Sequence, residues 1–138
     1  MTADPGDAAR APWAAEVATH RRIRGRRWRT SDPRIPEPTR QRLVDELMAA
    51  RRAVRDADTA GQERAARGRV QDAKVALGER GLRWWEAQQD VDDQADRIVR
   101  ARRALARTGP APAADVAAVV SGDVDEVAAV LATATDDG

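Results

Sequence analysis

The residues best suited to chemistry in this sequence lie at positions 20–29, HRRIRGRRWR. Six arginines surround Gly25, and Ile23 and Trp28 are the large apolar residues among them. Gly25 permits a tight turn between two short extended segments, so we predict a small basic hairpin. Guanidinium groups neutralise phosphates and an indole stacks on a base or a sugar, which is the chemistry of nucleic-acid binding. The predicted nucleic-acid-binding residues are Arg21, Arg22, Arg24, Arg26, Arg27, Trp28 and Arg29.

The same segment also has a purely structural interpretation. Trp28 would then pack on neighbouring helices, and the arginines would form a solvated face with some of them paired to acidic residues elsewhere. Short arginine-rich runs are a pattern of low specificity. The sequence therefore leaves both interpretations open.

Few other groups in the chain are suited to catalysis. The sequence has no cysteine, which excludes disulfides, thiolate zinc sites and thiol nucleophiles. Its single histidine, His20, adjoins Arg21 and Arg22, whose positive charge disfavours protonation of the imidazole. Neither Ser31 nor Ser121 lies in a nucleophile-elbow or phosphate-loop motif. We therefore expect a protein that is not an enzyme and that uses neither a metal nor a cofactor.

The composition favours helices packed through small side chains. Of 138 residues, 30 are alanine and only 22 are leucine, isoleucine or valine, with no phenylalanine and no tyrosine. No apolar run approaches the roughly 18 residues of a membrane span, and the N-terminus has no apolar signal region. We expect a cytoplasmic protein with no membrane partner. The net charge of +1 hides an acidic end, because residues 110–138 carry six acids and no cation. That end would bind a partner or restrain the basic arm.

The middle of the chain predicts two antiparallel helices. Apolar residues recur with helical spacing from Thr39 to about Ala57, at Leu43, Leu47, Ala50 and Val54. A second helix is expected from about Gln62 to Gly78 after a short turn at 56–61, and a turn of that length makes the two helices antiparallel neighbours.

Two tryptophans follow the second helix. The helix is expected to stop at Gly78 to Gly81, which leaves Trp84 and Trp85 as large apolar anchors just beyond its end. Such anchors must be covered. Trp84 and Trp85 are therefore the candidate residues for a protein interface.

The last third of the chain predicts three more helices. They run from Val91 to Thr108, from Ala113 to Val120, and from Asp123 to about Thr135, with a Ser-Gly turn between the last two. This order is that of a helix-turn-helix unit. The position of a recognition helix is acidic and has no side chain that reads base edges, so a packing unit or protein interface is favoured over DNA readout.

Residues 25–86 carry a resemblance to a family. The motifs are GRRWR, ELMAARRAV and VQDAKVALGERG followed two residues later by the tryptophan pair. The sequence resembles a family of small uncharacterised actinobacterial proteins that share these motifs, and its last third resembles a winged-helix or helix-turn-helix unit. The resemblance implies family membership and almost nothing about mechanism.

These observations combine into a mainly α fold. We expect a disordered leader at 1–19, a basic arm at 20–36, a helical hairpin at 37–86 and a three-helix unit at 91–135. The expected function is non-specific nucleic-acid binding by a non-enzymatic accessory protein through the arginine-rich arm. The alternative is a protein-interaction module with no nucleic-acid role, in which Trp84, Trp85 and the alanine-rich helix faces form an adaptor surface or a homodimer interface.

Overall fold

The computed structural model describes residues 9–136, which form a short β-hairpin followed by five helices. The strands are β1 (His20–Ile23) and β2 (Arg26–Arg29); the helices are α1 (Glu37–Arg55), α2 (Ala60–Leu77), α3 (Val91–Ala106), α4 (Ala113–Val120) and α5 (Val124–Asp136). A 3₁₀ turn, Pro12–Ala14, precedes the hairpin. The prediction of a mainly α fold with a short N-terminal hairpin is confirmed.

Local signals set the ends of α1 and α2. Pro38 lies in the first turn of α1, where its missing N–H costs no hydrogen bond. The side chain of Thr59 caps α2 by accepting a hydrogen bond from the backbone N–H of Gln62 at 3.1 Å. Gly78 ends α2 in the left-handed conformation, with φ of 85°. The two helices pack against each other as the predicted hairpin.

One hydrophobic core runs through all five helices. Its buried residues include Leu43 of α1, Leu77 of α2, Leu105 of α3, Val116 of α4 and Val127 of α5. The helical hairpin and the three-helix unit therefore share one core instead of each having its own.

Three buried carboxylates lie at the contacts between these helices. Asp32, just before α1, is fully buried and accepts hydrogen bonds from both terminal nitrogens of Arg97 on α3, at 3.2 Å each. Glu46, on α1, accepts two hydrogen bonds from Arg69 of α2, at 2.9 and 2.8 Å. Asp72 accepts one hydrogen bond from Arg100 at 3.0 Å and one from Arg107 at 3.1 Å.

The N-terminal segment differs from the expected disordered leader. Residues 1–8 lie outside the described part of the chain, but residues 9–19 follow a defined path across the tryptophan pair. Ala11 and Ala14 pack on Trp84, and the backbone N–H of Ala11 donates to the carbonyl of Trp85 at 2.8 Å. The ring of Trp13 stacks on that of Trp84, with centroids 5.9 Å apart. This segment is the cover that the tryptophans require.

The last three helices follow the predicted order. α4 begins and ends at the predicted residues, Ser121 takes the left-handed conformation, and Asp123 caps α5. Val91, the first residue of α3, is 75% exposed because the first turn of this helix lies beyond the core. The helix-turn-helix interpretation stays a prediction. Among residues 9–136, no helix has the length and apolar character needed to cross a membrane.

Candidate nucleic-acid interface

The arginine-rich segment forms the predicted hairpin. Strands β1 and β2 pair antiparallel, with His20 opposite Arg29 and Ile23 opposite Arg26. Arg24 and Gly25 make a two-residue turn with φ of 51° and 80°. Positive φ at both positions is the conformation that matches the twist of the flanking strands, and glycine adopts it without strain. The turn thus explains why the chain reverses at Gly25.

Pairing divides the hairpin into two faces, because side chains alternate along a strand. One face, which we call the outer face, carries His20, Arg22, Arg27 and Arg29. The other, the inner face, carries Arg21, Ile23, Arg26 and Trp28. The six arginines therefore do not form one surface.

The base of the hairpin is anchored on Trp85. Arg29 lies over the Trp85 ring at 5.4 Å and donates a hydrogen bond to the carbonyl of Gly81 at 2.9 Å. The His20 ring meets the edge of the same indole, with centroids 5.5 Å apart. Of the six predicted arginines, Arg29 is thus largely structural.

The other five hairpin arginines are exposed and have no acidic partner among residues 9–136. None forms an ion pair with a carboxylate that the structure describes. This contrasts with the structural interpretation of the segment, in which acids elsewhere pair with some of them. These five residues are Arg21, Arg22, Arg24, Arg26 and Arg27.

Trp28 combines features of both interpretations. The Nζ of Lys74 on α2 lies 5.2 Å from the centre of its ring, so the indole does lie against the helical hairpin. The guanidinium of Arg26 lies over the ring at 5.1 Å. Trp28 nevertheless remains 39% exposed. Part of the indole is therefore accessible beside two cations.

The pKa of His20 is lowered from its ordinary value of 6.5. Burial is the largest cause, and the positive charges of Arg27, Arg29, Arg83 and Arg10 add to it. The sequence predicted this direction from Arg21 and Arg22, but the charges that act come from elsewhere in the fold. His20 is therefore neutral near pH 7, and its Nδ1 lies 2.9 Å from the Thr19 hydroxyl oxygen.

Sequence reasoning missed Lys74, the only lysine in the chain. It lies on the face of α2 that turns toward the hairpin, and it is only 6% exposed. A signal was present: Lys74 interrupts the apolar run from Ala73 to Leu77. A charged residue there must either pair with an acid or reach a polar surface.

The two tryptophans of the predicted protein interface are already occupied within the chain. Trp84 is fully buried, and its Nε1 donates to the carbonyl of Thr30 at 3.0 Å. Trp85 is half-buried under His20 and Arg29. The expectation that Trp84 presents a surface to a partner is corrected by its burial, because residues 9–19 and 30 cover the ring.

The acidic helix lies away from the hairpin. α5 packs against α3 and α4, and within the described residues it makes no contact with β1 or β2. Its outward positions include Asp125 and Glu126, which repel phosphate. Among the same residues no group of three or more His, Asp and Glu side chains is placed to hold a metal ion.

Comparisons with models of known protein families, with curated proteins and with solved structures found no match. The resemblance to the actinobacterial family stays a prediction.

Proposed function

We propose that this chain is a small, non-enzymatic cytoplasmic accessory protein that binds nucleic acid without sequence preference through the basic hairpin. The observation that supports the proposal is the set of five exposed hairpin arginines with no carboxylate partner among the described residues. Cations that are not neutralised within the fold attract a polyanion and release its counterions on binding. Because arginine contacts of this kind go to phosphates, they carry no sequence information.

The alternative, an adaptor that binds protein through the tryptophan pair, has less support. Its central residue, Trp84, has no exposed surface. Met48, Ile23 and Trp28 are exposed apolar residues elsewhere, but all three lie among cations. An acidic ligand suits those surroundings better than an apolar one.

The test is fluorescence anisotropy of a labelled oligonucleotide titrated with the protein across a salt series. We expect log Kd to rise linearly with log salt, with a slope of about 0.7 to 0.9 for each phosphate contact. Replacing the five exposed hairpin arginines with serine should abolish binding at physiological salt. Circular dichroism should keep the helical signal, since the changed residues lie in the hairpin.

A matched control removes the same charge from another surface. Five exposed arginines of the helical hairpin region serve this purpose: Arg52, Arg55, Arg64, Arg67 and Arg80. Serine at these positions should reduce affinity only slightly. Absence of binding by the wild-type protein at low salt, or equal losses in the two variants, would contradict the proposal.

A further inference from the structure

A groove of about 650 Å³ lies between the inner face of the hairpin and the helices α1 and α2. Arg21, Arg26 and Trp28 line it from the hairpin. Arg51 of α1 and Lys74 of α2 line it from the opposite side. Residues far apart in the chain therefore form one surface with cations on two facing walls.

The groove is strongly positive. Seven of its lining residues are arginine or lysine and one, Glu79, is acidic. The carboxylate of Glu79 accepts a hydrogen bond from the hydroxyl of Ser31 at 3.0 Å and makes no ion pair with the groove cations. Within residues 9–136, Arg40 is the one groove cation that forms an ion pair, with Glu37 at 3.5 Å, so most of this charge has no described counterion.

Lys74 is the most informative of these cations. It is 6% exposed, and no described carboxylate forms an ion pair with it. Burial, together with the charges of Arg80 and Arg51, lowers its pKa, although Glu79 opposes the shift. A buried charge without a partner costs stability. The Nζ of Lys74 lies 5.2 Å from the centre of the Trp28 ring, and an anion in the groove would supply the opposite charge that no described residue supplies.

Apolar side chains form the floor of the same groove. Leu47 is buried there, while Met48 and Ile23 are 37% and 47% exposed. Trp28 adds an indole that is partly accessible. A groove that combines a cationic rim with apolar and aromatic surface suits a ligand that has both phosphates and unstacked rings.

We propose that this groove binds single-stranded nucleic acid, with the phosphates between Arg21 and Arg26 on one wall and Arg51 and Lys74 on the other, and with bases stacked on Trp28. The inference rests on the proposed function and adds to it the strandedness of the ligand and the face of the hairpin that binds it. A duplex keeps its bases stacked inside and presents phosphates on a convex surface, so it can use the exposed arginines but not the groove floor. Single strands expose the rings that such surfaces bind, on aromatic side chains and on guanidinium planes.

The two faces of the hairpin provide a matched test. Arg21→Ser with Arg26→Ser removes two charges from the groove, whereas Arg22→Ser with Arg27→Ser removes two from the outer face. The probes are a labelled oligodeoxythymidine and a duplex of the same length. The groove variant should weaken single-strand binding by about tenfold or more and the outer-face variant by much less, because only the former removes cations that line the groove. The wild-type protein should prefer the single strand.

A second pair of variants tests the helical wall without changing the hairpin. Arg51→Ser with Lys74→Gln should weaken single-strand binding as the groove variant does. Arg52→Ser with Arg55→Ser, which changes the same charge on α1 outside the groove, should not. Trp28→Ala should lose about 5- to 150-fold in affinity for the single strand, as expected for one base stack.

The single lysine allows a direct measurement of occupancy. Acetylation by acetic anhydride, followed by mass spectrometry, reports the accessibility of Lys74 while the α-amino group serves as an internal standard. Oligodeoxythymidine should slow acetylation of Lys74, and the duplex should not. Equal protection by both, or none by either, would overturn the groove inference.

The outcomes that would overturn this inference can be distinguished from those that would overturn the proposed function. Equal binding of duplex and single strand, with equal losses in the groove and outer-face variants, would overturn the groove and leave non-specific binding by the hairpin intact. Binding of neither probe at low salt would overturn both. Tighter binding to vesicles that contain phosphatidylserine than to oligodeoxythymidine would overturn the groove proposal in favour of a membrane surface.

Discussion

Arginine has opposite surroundings in the helical core and in the hairpin. In the core, Arg97 is 2% exposed and bonded to Asp32, and Arg69 forms a bidentate pair with Glu46. In the hairpin, Arg22 and Arg27 are exposed and pair with no described carboxylate. The chain has nearly as many acids as bases, so this difference does not result from a shortage of acids.

The comparison separates two uses of one residue type. A guanidinium that is paired with a buried carboxylate holds elements together, and its removal leaves an unpaired charge inside the protein. A guanidinium without a partner adds little to stability and keeps its charge for an external anion. Where the carboxylates lie therefore predicts most of the structural arginines; Arg29, held by the Trp85 ring and the carbonyl of Gly81, is structural without one. The following variants test that division.

The largest effect is expected at Asp32. Asp32→Ala leaves Arg97 charged and without its carboxylate in the core, which should lower the free energy of unfolding by about 3 to 5 kcal/mol. Urea unfolding followed by circular dichroism measures the change. Asp32→Asn, which keeps the shape and removes the charge, should give a smaller loss. A loss below about 1 kcal/mol for Asp32→Ala would show that the pair does not hold the core.

Two glycines in the left-handed conformation allow the next comparison. A Cβ at Gly78 would lie 2.7 Å from Cδ1 of Trp84 and 3.3 Å from the backbone of Asp32, whereas a Cβ at Gly25 would have no atom within 4 Å. Gly25→Ala should cost only the strain of its φ, about 1 to 2 kcal/mol. Gly78→Ala should cost clearly more and alter tryptophan fluorescence. Equal losses in urea unfolding would contradict the close packing at Gly78.

His20 predicts a smaller, pH-dependent effect. Its folded pKa is below 6.5, so the unfolded chain takes up the proton first as pH falls. Stability contributed by neutral His20 is therefore complete above pH 6.5 and is lost as pH falls toward the folded pKa. Urea midpoints measured across this interval should fall for the wild type and fall less for His20→Gln. If the urea midpoints of the two proteins change with pH in parallel, His20 does not cause the pH dependence of stability.

The smallest effect on stability is expected in the outer face of the hairpin. Arg22→Ala with Arg27→Ala should change the free energy of unfolding by no more than about 0.5 kcal/mol, as is usual for exposed residues away from structural contacts. At low salt the change should be stabilising, because the substitutions reduce repulsion between neighbouring cations. That gain should disappear at high salt. A decrease of several kcal/mol in the free energy of unfolding would show that these arginines stabilise the fold.

Local features were predictable from the sequence, and long-range placements were not. The helix ends at Gly78 and Asp123 and the hairpin turn at Gly25 depend on residues within a few positions. The burial of Arg97 depends on Asp32, which is 65 positions away in the chain. Its one local signal was its spacing of four residues from Ala101, which places it on the apolar face of α3.

The candidate site was likewise predictable from the sequence only in its local features. The composition of the hairpin predicted its charge, and Gly25 predicted its reversal. No pattern indicated which side of the hairpin would turn toward α1 and α2, because that orientation depends on Trp85 and on the path of the N-terminal segment. The groove and the role of Lys74 therefore emerge only in three dimensions.

The anchoring of the hairpin on Trp85 has a consequence for synthesis of the chain. Residues 20–29 leave the ribosome well before Trp85, which lies more than 50 positions later. At a rate of about 5 to 20 residues per second, the interval lasts for seconds. During that time β1 and β2 do not have Trp85 to pack on, and residues 9–19 do not have Trp84 to cover. The basic hairpin can therefore reach its final position only after the segment that carries Trp85 has been translated.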